Sequence, residues 1–258
     1  MCILFIAIEQ HPKYPLIICA NRDEFHQRPT QAMHVWQQPK ILAGKDLQAG
    51  GTWLGLTKEG KFAALTNFRK LPLSEGAKKS RGDLVLQALT KTNSNIDINK
   101  ELAQHAKQYH GYNLIHGSLS QLSCYDSINN QSHKLSTGVH SICNGALDDI
   151  WPKMANGEQL LKDAISQKGN LSIDALFSLM SNDKQALPEL LPSTGLSEEW
   201  EQLLSAIFIV SPTYGTRSTS IIMQDIEGNV DVYDRSYEPS GECIGEQYFT
   251  LATAFDSR

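Results

Sequence analysis

Cys2 stands at the very start of the chain, and the block Asn21-Arg22-Asp23-Glu24 closes a short apolar ribbon that begins with it. A thiol attacks as thiolate, a neighbouring guanidinium favours that ionised form, and a carboxylate can hold an amine or the guanidinium in place. Cysteine is small enough for the processing aminopeptidase to tolerate, so removal of Met1 is expected and would leave Cys2 with a free α-amine. Such an amine titrates near about 7.7 to 8.0, which leaves a useful neutral fraction at pH 7. Nucleophile and base would then sit on one residue. The plainer reading is a buried thiol beside an ordinary strand-end ion pair, and for a lone cysteine that reading is preferred.

The elements that must position these groups are two hairpins. Residues 2–8 and 16–20 are apolar and β-rich, separated by His11-Pro12-Lys13-Tyr14-Pro15. A fold-back near Pro12 pairs residues whose numbers sum to about 24, which sets Cys2 beside Arg22 and Asp23. The second hairpin joins residues 52–57 to 62–68 through a turn near Glu59-Gly60, so that Asn67 should face Gly51-Thr52. That corner is a polar pocket wall or, equally, a glycine bend beside a satisfied amide. The polar segment 25–50 reads as a long surface loop, a rim or lid over the site.

Helical periodicity follows at Leu84, Val85, Ala88, Leu89 and again at Leu102, Ala103, Ala106, Tyr109, with Thr92 to Asn95 as a polar link. Strands are expected at 112–116, 122–125 and 139–143. A second helical pair follows, around 160–165 and, after Gly169-Asn170 and a Ser172 cap, 176–180. Strands at 206–210, 219–223, 230–233 and 248–251 finish the chain, with Thr213 to Arg217 as a loop. Alternating βαβ units are missing, which points to antiparallel sheets with helices segregated outside, an α+β class. The length and the 41% hydrophobic content suit one domain over residues 1–258. A net charge of −5 without a basic run argues against a nucleic-acid partner. No stretch is long enough for stable membrane insertion. The five scattered cysteines, Cys2, Cys19, Cys124, Cys143 and Cys243, fit reduced thiols and a cytoplasmic location.

Several separate motifs resemble one family. They are Cys2, the block Asn21-Arg22-Asp23-Glu24-Phe25, Gly50-Gly51-Thr52-Trp53-Leu54-Gly55 continuing to Ala64-Leu65-Thr66-Asn67, Asn144-Gly145-Ala146-Leu147-Asp148 with Trp151-Pro152-Lys153, and Tyr214-Gly215-Thr216-Arg217-Ser218. Together they are similar to the NRDE family, that of transport and Golgi organisation protein 2, from residue 2 to about residue 235. The resemblance implies a four-layer αββα sandwich of antiparallel sheets, like N-terminal-nucleophile hydrolases of the choloylglycine hydrolase and penicillin V acylase branch. It further implies Cys2 as nucleophile in cleavage of a small, linear, non-peptide amide, with no cofactor. Arg22 and Asp23 would support its thiolate and amine, Asn67 and Asn144 would supply oxyanion or amine contacts, and Arg217 would form a second cationic wall. Arg22 and Asp23 are adjacent here, whereas the acylase branch separates its Arg and Asp. The same resemblance carries an alternative, a carrier of haem, acyl-CoA or lipid on the hydrolase scaffold. His26 and His34 are the candidates for a labile haem ligand, although each also reads as a surface histidine. The eight histidines show no metal spacing, so no metal site is expected.

Overall fold

The computed structural model describes residues 2–69, 79–91, 95–166 and 171–255. The chain opens with β1 (Cys2–Ile8), β2 (Leu16–Phe25), β3 (Thr30–Val35), β4 (Leu42–Asp46), β5 (Leu54–Leu56) and β6 (Lys61–Asn67). Helices α1 (Gly82–Thr90) and α2 (Asn95–His105) follow, then β7 (Tyr112–Ser118), β8 (Gln121–Asp126), β9 (Gln131–Lys134) and β10 (Gly138–Ile142). After α3 (Pro152–Ser166), α4 (Ile173–Met180) and α5 (Glu198–Leu203) come β11 (Tyr214–Gln224), β12 (Val230–Tyr237), β13 (Cys243–Thr250) and the short α6 (Leu251–Ala254).

All strand pairs are antiparallel and form two sheets, one in the order β10-β1-β2-β11-β12-β13 and the other β3-β4-β5-β6-β7-β8-β9. Alternate residues of β1 explain the layering. Leu4 and Ile6 enter a core with Leu54, Phe62 and Ile115 of the second sheet, whereas Ile3, Phe5 and Ala7 pack on Leu161, Leu176 and Phe177 of α3 and α4. The far face of the second sheet, with Ala63, Leu65 and Leu114, is covered by Leu84, Val85 and Leu102 of α1 and α2. The result is the expected four-layer αββα sandwich. Strand β1 is apolar throughout because both of its faces are covered.

The first hairpin has the expected register. Cys2 pairs with Arg22, Leu4 with Ala20 and Ile8 with Leu16, every pair summing to 24. In the second, Leu54 pairs with Ala64 and Leu56 with Phe62. The ladder stops at Leu54, with one further bond from the Leu65 N–H to the Trp53 carbonyl at 2.8 Å, short of the expected facing of Asn67 and Gly51-Thr52. On the other edge of β6, Asn67 pairs with Tyr112 of β7.

Other expectations are corrected. Segment 25–50 is not a loop but carries β3 and β4 at one end of the second sheet; the exposed edge position lets β3 hold polar residues such as Gln31, hiding the apolar alternation. Residues 206–210 form no strand, although residues 206–209 are buried. There the Phe208 N–H donates to the Asn182 carbonyl at 2.8 Å, and the Ile209 N–H donates to Thr216 Oγ1 at 2.9 Å. The 213–217 segment is strand from Tyr214 onward, with a bulge between Thr216 and Ser218. Ser172 occupies the N-cap position of α4 without a side-chain cap bond. The link residues 92–94 and the Gly169-Asn170 pair lie outside the described residues.

Candidate active site

Between the two sheets, at the end where β1 starts and β2 finishes, lies a cavity of about 380 Å³. Cys2, Arg22, Asp23 and Glu24 reach it from the first sheet; Asp46, Trp53, Leu65 and Asn67 line it from the second, and residues 79–82 close one side ahead of α1.

Cys2 is 7% exposed, and burial pushes its thiol up to about 11. The amino-terminal charge, Arg22 and the backbone N–H of Asp23 work against that rise, while the Asp23 carboxylate adds to it. The neutral thiol is therefore the resting form at pH 7, and attack needs a base to take its proton.

Arg22, across the ladder from Cys2, is fixed in two ways. Its Nη1 donates to Thr30 Oγ1 at 3.0 Å, and its guanidinium carbon lies 4.9 Å from the centre of the Trp53 ring. Asp23 is 1% exposed and accepts a 2.8 Å hydrogen bond from Thr216 Oγ1. Burial raises its carboxyl; the amino-terminal charge, Lys153, the Thr216 hydrogen bond and Arg22 lower it. Asn21, the first residue of the same block, is structural. Its Nδ2 donates to the Met180 and Ile207 carbonyls, both at 2.9 Å, and its Oδ1 accepts from Thr219 Oγ1 at 2.6 Å.

Of the remaining expected site residues, the cavity includes Asn67 alone. Asn144 is buried outside the lining and donates from Nδ2 to the Asn67 carbonyl at 2.7 Å, which ties it to the strand that presents Asn67. Arg217 stands outside the cavity lining. It occupies the bulge of β11, and its Nη1 donates to the carbonyls of Phe25 at 3.3 Å, His26 at 3.0 Å and Arg28 at 3.5 Å, clamping the turn after β2. The bulge adds one residue between two ladder positions, and from there Arg217 lies within electrostatic reach of Arg22 and Glu24, both in the lining. His26 and His34 are also outside the lining. His26 Nε2 meets the Ser211 carbonyl at 2.9 Å, and His34 Nδ1 meets that of Ala32 at 2.8 Å. Among the described residues, no group of three His, Cys, Asp or Glu side chains could hold a metal ion.

Two cations were given no site role by the sequence reading, although Lys153 stood in one of its motifs. Lys153 is 4% exposed, donates from Nζ to the Leu204 carbonyl at 2.8 Å, and lies within electrostatic reach of Asp23. Its signal was present in the sequence, because Lys153 falls on the same buried face of α3 as Gly157, Leu161 and Ala164, where a lysine is out of place. Arg81 lines the cavity in the position envisaged for Arg217. Nothing in the local sequence marks it, since segment 79–82 is brought over the site only by tertiary contact. A Cβ built on Gly51 would lie 2.9 Å from the Gly82 carbonyl carbon, so the two backbones meet with no room for a side chain between them.

The family model described as Transport and Golgi organisation 2 matches residues 1–239. The chain is 34% identical to the Transport and Golgi organization protein 2 homolog of Bos taurus and 32% identical to that of Homo sapiens, each over 92% of this chain and 93% of the relative. It is 26% identical to Transport and Golgi organization protein 2 of Drosophila melanogaster, over 94% of this chain and 95% of the relative. Among solved structures, a cysteine-to-alanine mutant of conjugated bile acid hydrolase from Clostridium perfringens superposes with a TM-score of 0.54 at 11% identity, covering 98% of this chain and 94% of the other. A second variant of the same hydrolase, with an arginine replaced by leucine, gives 0.53 at 12% identity, covering 97% and 92%. At such identities the likeness is one of fold, that of the N-terminal-nucleophile hydrolases.

Proposed function

This chain belongs to the Transport and Golgi organisation 2 family, and on that premise we propose that it is an amide hydrolase with Cys2 as nucleophile. The observation that carries the reading is the pairing of Cys2 with Arg22 at the mouth of an inter-sheet cavity, with Asp23 and Asn67 alongside.

Once Met1 is removed, the Cys2 α-amine takes the thiol proton and the sulfur attacks the substrate carbonyl, forming a C–S bond. Arg22 stabilises the thiolate before attack. The negative charge that develops on the carbonyl oxygen is met by the Asn67 amide, an interaction of several kcal/mol in a site that excludes water. Collapse of the tetrahedral intermediate breaks the C–N bond, and the leaving amine receives its proton from the α-ammonium. Water, deprotonated by the same amine, then hydrolyses the thioester and restores the thiol. Asp23, held by Thr216, orients the amine.

Intact mass, labelling with an electrophilic thiol probe and turnover of small N-acyl amides test this reading together. Met1 should be absent from the active protein, and Cys2 should be the labelled residue. Cys2→Ala should lower turnover at least roughly 10³-fold, and Arg22→Ala roughly 10²-fold. Retention of Met1 in active protein would remove the proposed base. A Soret shift on haem addition that survives Cys2→Ala, in a protein whose Cys2 never labels, would favour the carrier reading instead.

A further inference from the structure

Among the described residues, the cavity holds more positive charge than its carboxylates satisfy. Arg22, Arg28, Lys79 and Arg81 line it, against Asp23, Glu24 and Asp46. Arg28 engages two of the three acids. It donates to Asp46 Oδ2 from Nε at 2.9 Å and from Nη2 at 2.6 Å, and its Nε lies 3.7 Å from Glu24 Oε2. Asp23 turns to Thr216, while Arg22 is held by Thr30 and Trp53.

Arg81 and Lys79 are what remain. Arg81 donates one hydrogen bond from Nη1 to the Gly111 carbonyl at 3.2 Å, and among the described residues neither cation forms an ion pair. Their segment is pinned: the Lys79 N–H donates to the Gln108 carbonyl at 3.2 Å, and Gly82 rests on Gly51. Burial pulls Arg81 below its ordinary value and Arg28 adds to that, whereas Glu24 and Cys2 act the other way, so Arg81 shares an electrostatic environment with the nucleophile. The chain as a whole carries −5, so this basic corner is local and not a reflection of composition. A half-buried guanidinium with donors to spare is the group that best matches a planar or tetrahedral oxyanion.

We infer that the substrate of this site carries an anionic group, a carboxylate, sulfonate or phosphate, placed to meet Arg81 and Lys79 while its amide carbonyl faces Cys2. The inference rests on the hydrolase reading for the position of the carbonyl, but the anion subsite can be measured without turnover.

Binding is measured to the Cys2→Ala protein, with Cys2→Ser as a second background, each checked by circular dichroism. The probes are N-octanoylglycine, N-octanoyltaurine, N-octanoyl-O-phosphoethanolamine and, with the charge on the acyl side, suberic acid monobutylamide. Neutral N-octanoylglycinamide is the reference. At least one anionic probe should bind about tenfold or more tightly than the glycinamide, with a preference that falls as salt is added. Arg81→Gln should bring the ratio close to one, and Lys79→Gln should reduce it. The ranking of the headgroups identifies which oxyanion the corner takes. Equal affinity for charged and neutral probes, a preference unchanged in Arg81→Gln, or no binding of any probe would overturn the inference. Wild-type turnover without anionic preference defeats this inference and leaves the hydrolase reading standing. Arg81-dependent anion binding without turnover supports the anion subsite and defeats the hydrolase reading.

Discussion

Individual side chains in the sandwich show how buried polarity is balanced. Arg22 lies over the Trp53 ring and Asp23 is bound by Thr216, so each of these polar groups at the nucleophile has an assigned neighbour. Asp234 is less well served. It is 1% exposed, accepts from Ser220 Oγ at 2.6 Å on Oδ1, and has no hydrogen-bond partner on Oδ2 among the described residues. Burial pushes its carboxyl up to about 6, against the lowering effect of Ser220 and the Met33 backbone. A folded-state value above the unfolded one means that the folded protein binds the extra proton. The corresponding stability is present below about pH 4 and lost as pH rises through about 6. Asp234→Asn cannot lose that proton. Its unfolding free energy minus that of the wild type should therefore increase by roughly 1 to 3 kcal/mol between pH 4 and pH 7. Denaturant melts of both proteins at the two pH values check this, and a difference independent of pH would refute it.

At the scale of elements, the closest packing is that of α3 on the first sheet. Gly157 sits over Phe5, and a Cβ there would fall 2.0 Å from Phe5 Cζ. Replacing an interior helical glycine by alanine ordinarily gains up to about 1 kcal/mol. Overpacking costs about 1 to 3 kcal/mol, so Gly157→Ala should be net destabilising, and Phe5→Leu in the same protein should recover part of the loss. Additive single effects in that double-mutant cycle would contradict direct contact. Sequence periodicity exposed elements of this kind well. The strong turn formers around Pro12 fixed the β1–β2 register, and the apolar stripes of α1, α3 and α4 were readable because helical spacing is imposed locally. By contrast, β3 was hidden because an edge strand is free to carry polar residues, and β4, inside the sheet, because its strand is only five residues long and ends in the polar pair Lys45-Asp46. Residues 206–210 misled because burial of an apolar run does not require a ladder; its backbone bonds to Asn21, Thr216 and Asn182 instead. In the site, Cys2, Arg22 and Asp23 were legible because one hairpin brings them together. Arg81 and Lys153 were given no site role because tertiary contact alone brings them there, and the contacts of Arg217 were not readable because it sits in a bulge that breaks the ladder register.

For the whole molecule, the core between the sheets matters most. It is drawn from β10, β1, β2, β11 and β12 on one side and from β3 to β8 on the other, so neither sheet buries its inner face without its partner. Heat or denaturant should accordingly unfold the chain in one transition, with coincident midpoints by far-ultraviolet circular dichroism and tryptophan fluorescence. Two separated transitions would show that the layers melt independently. The described helices include none long and apolar enough to cross a membrane.

The place of β1 and β2 inside the first sheet has a consequence for synthesis. This hairpin is made first, yet its flanking strands are β10, at residues 138–142, and β11, at residues 214–224. An emerging chain therefore carries Cys2 on an apolar ribbon with both edges open until β10 emerges, and with the β2 edge open until β11 follows, when most of the protein has left the ribosome. Asp23 lacks Thr216 over the same interval. The order of translation thus keeps the thiol from its finished surroundings until the late strands arrive, and chains released early would expose a sticky two-stranded ribbon in place of a pocket.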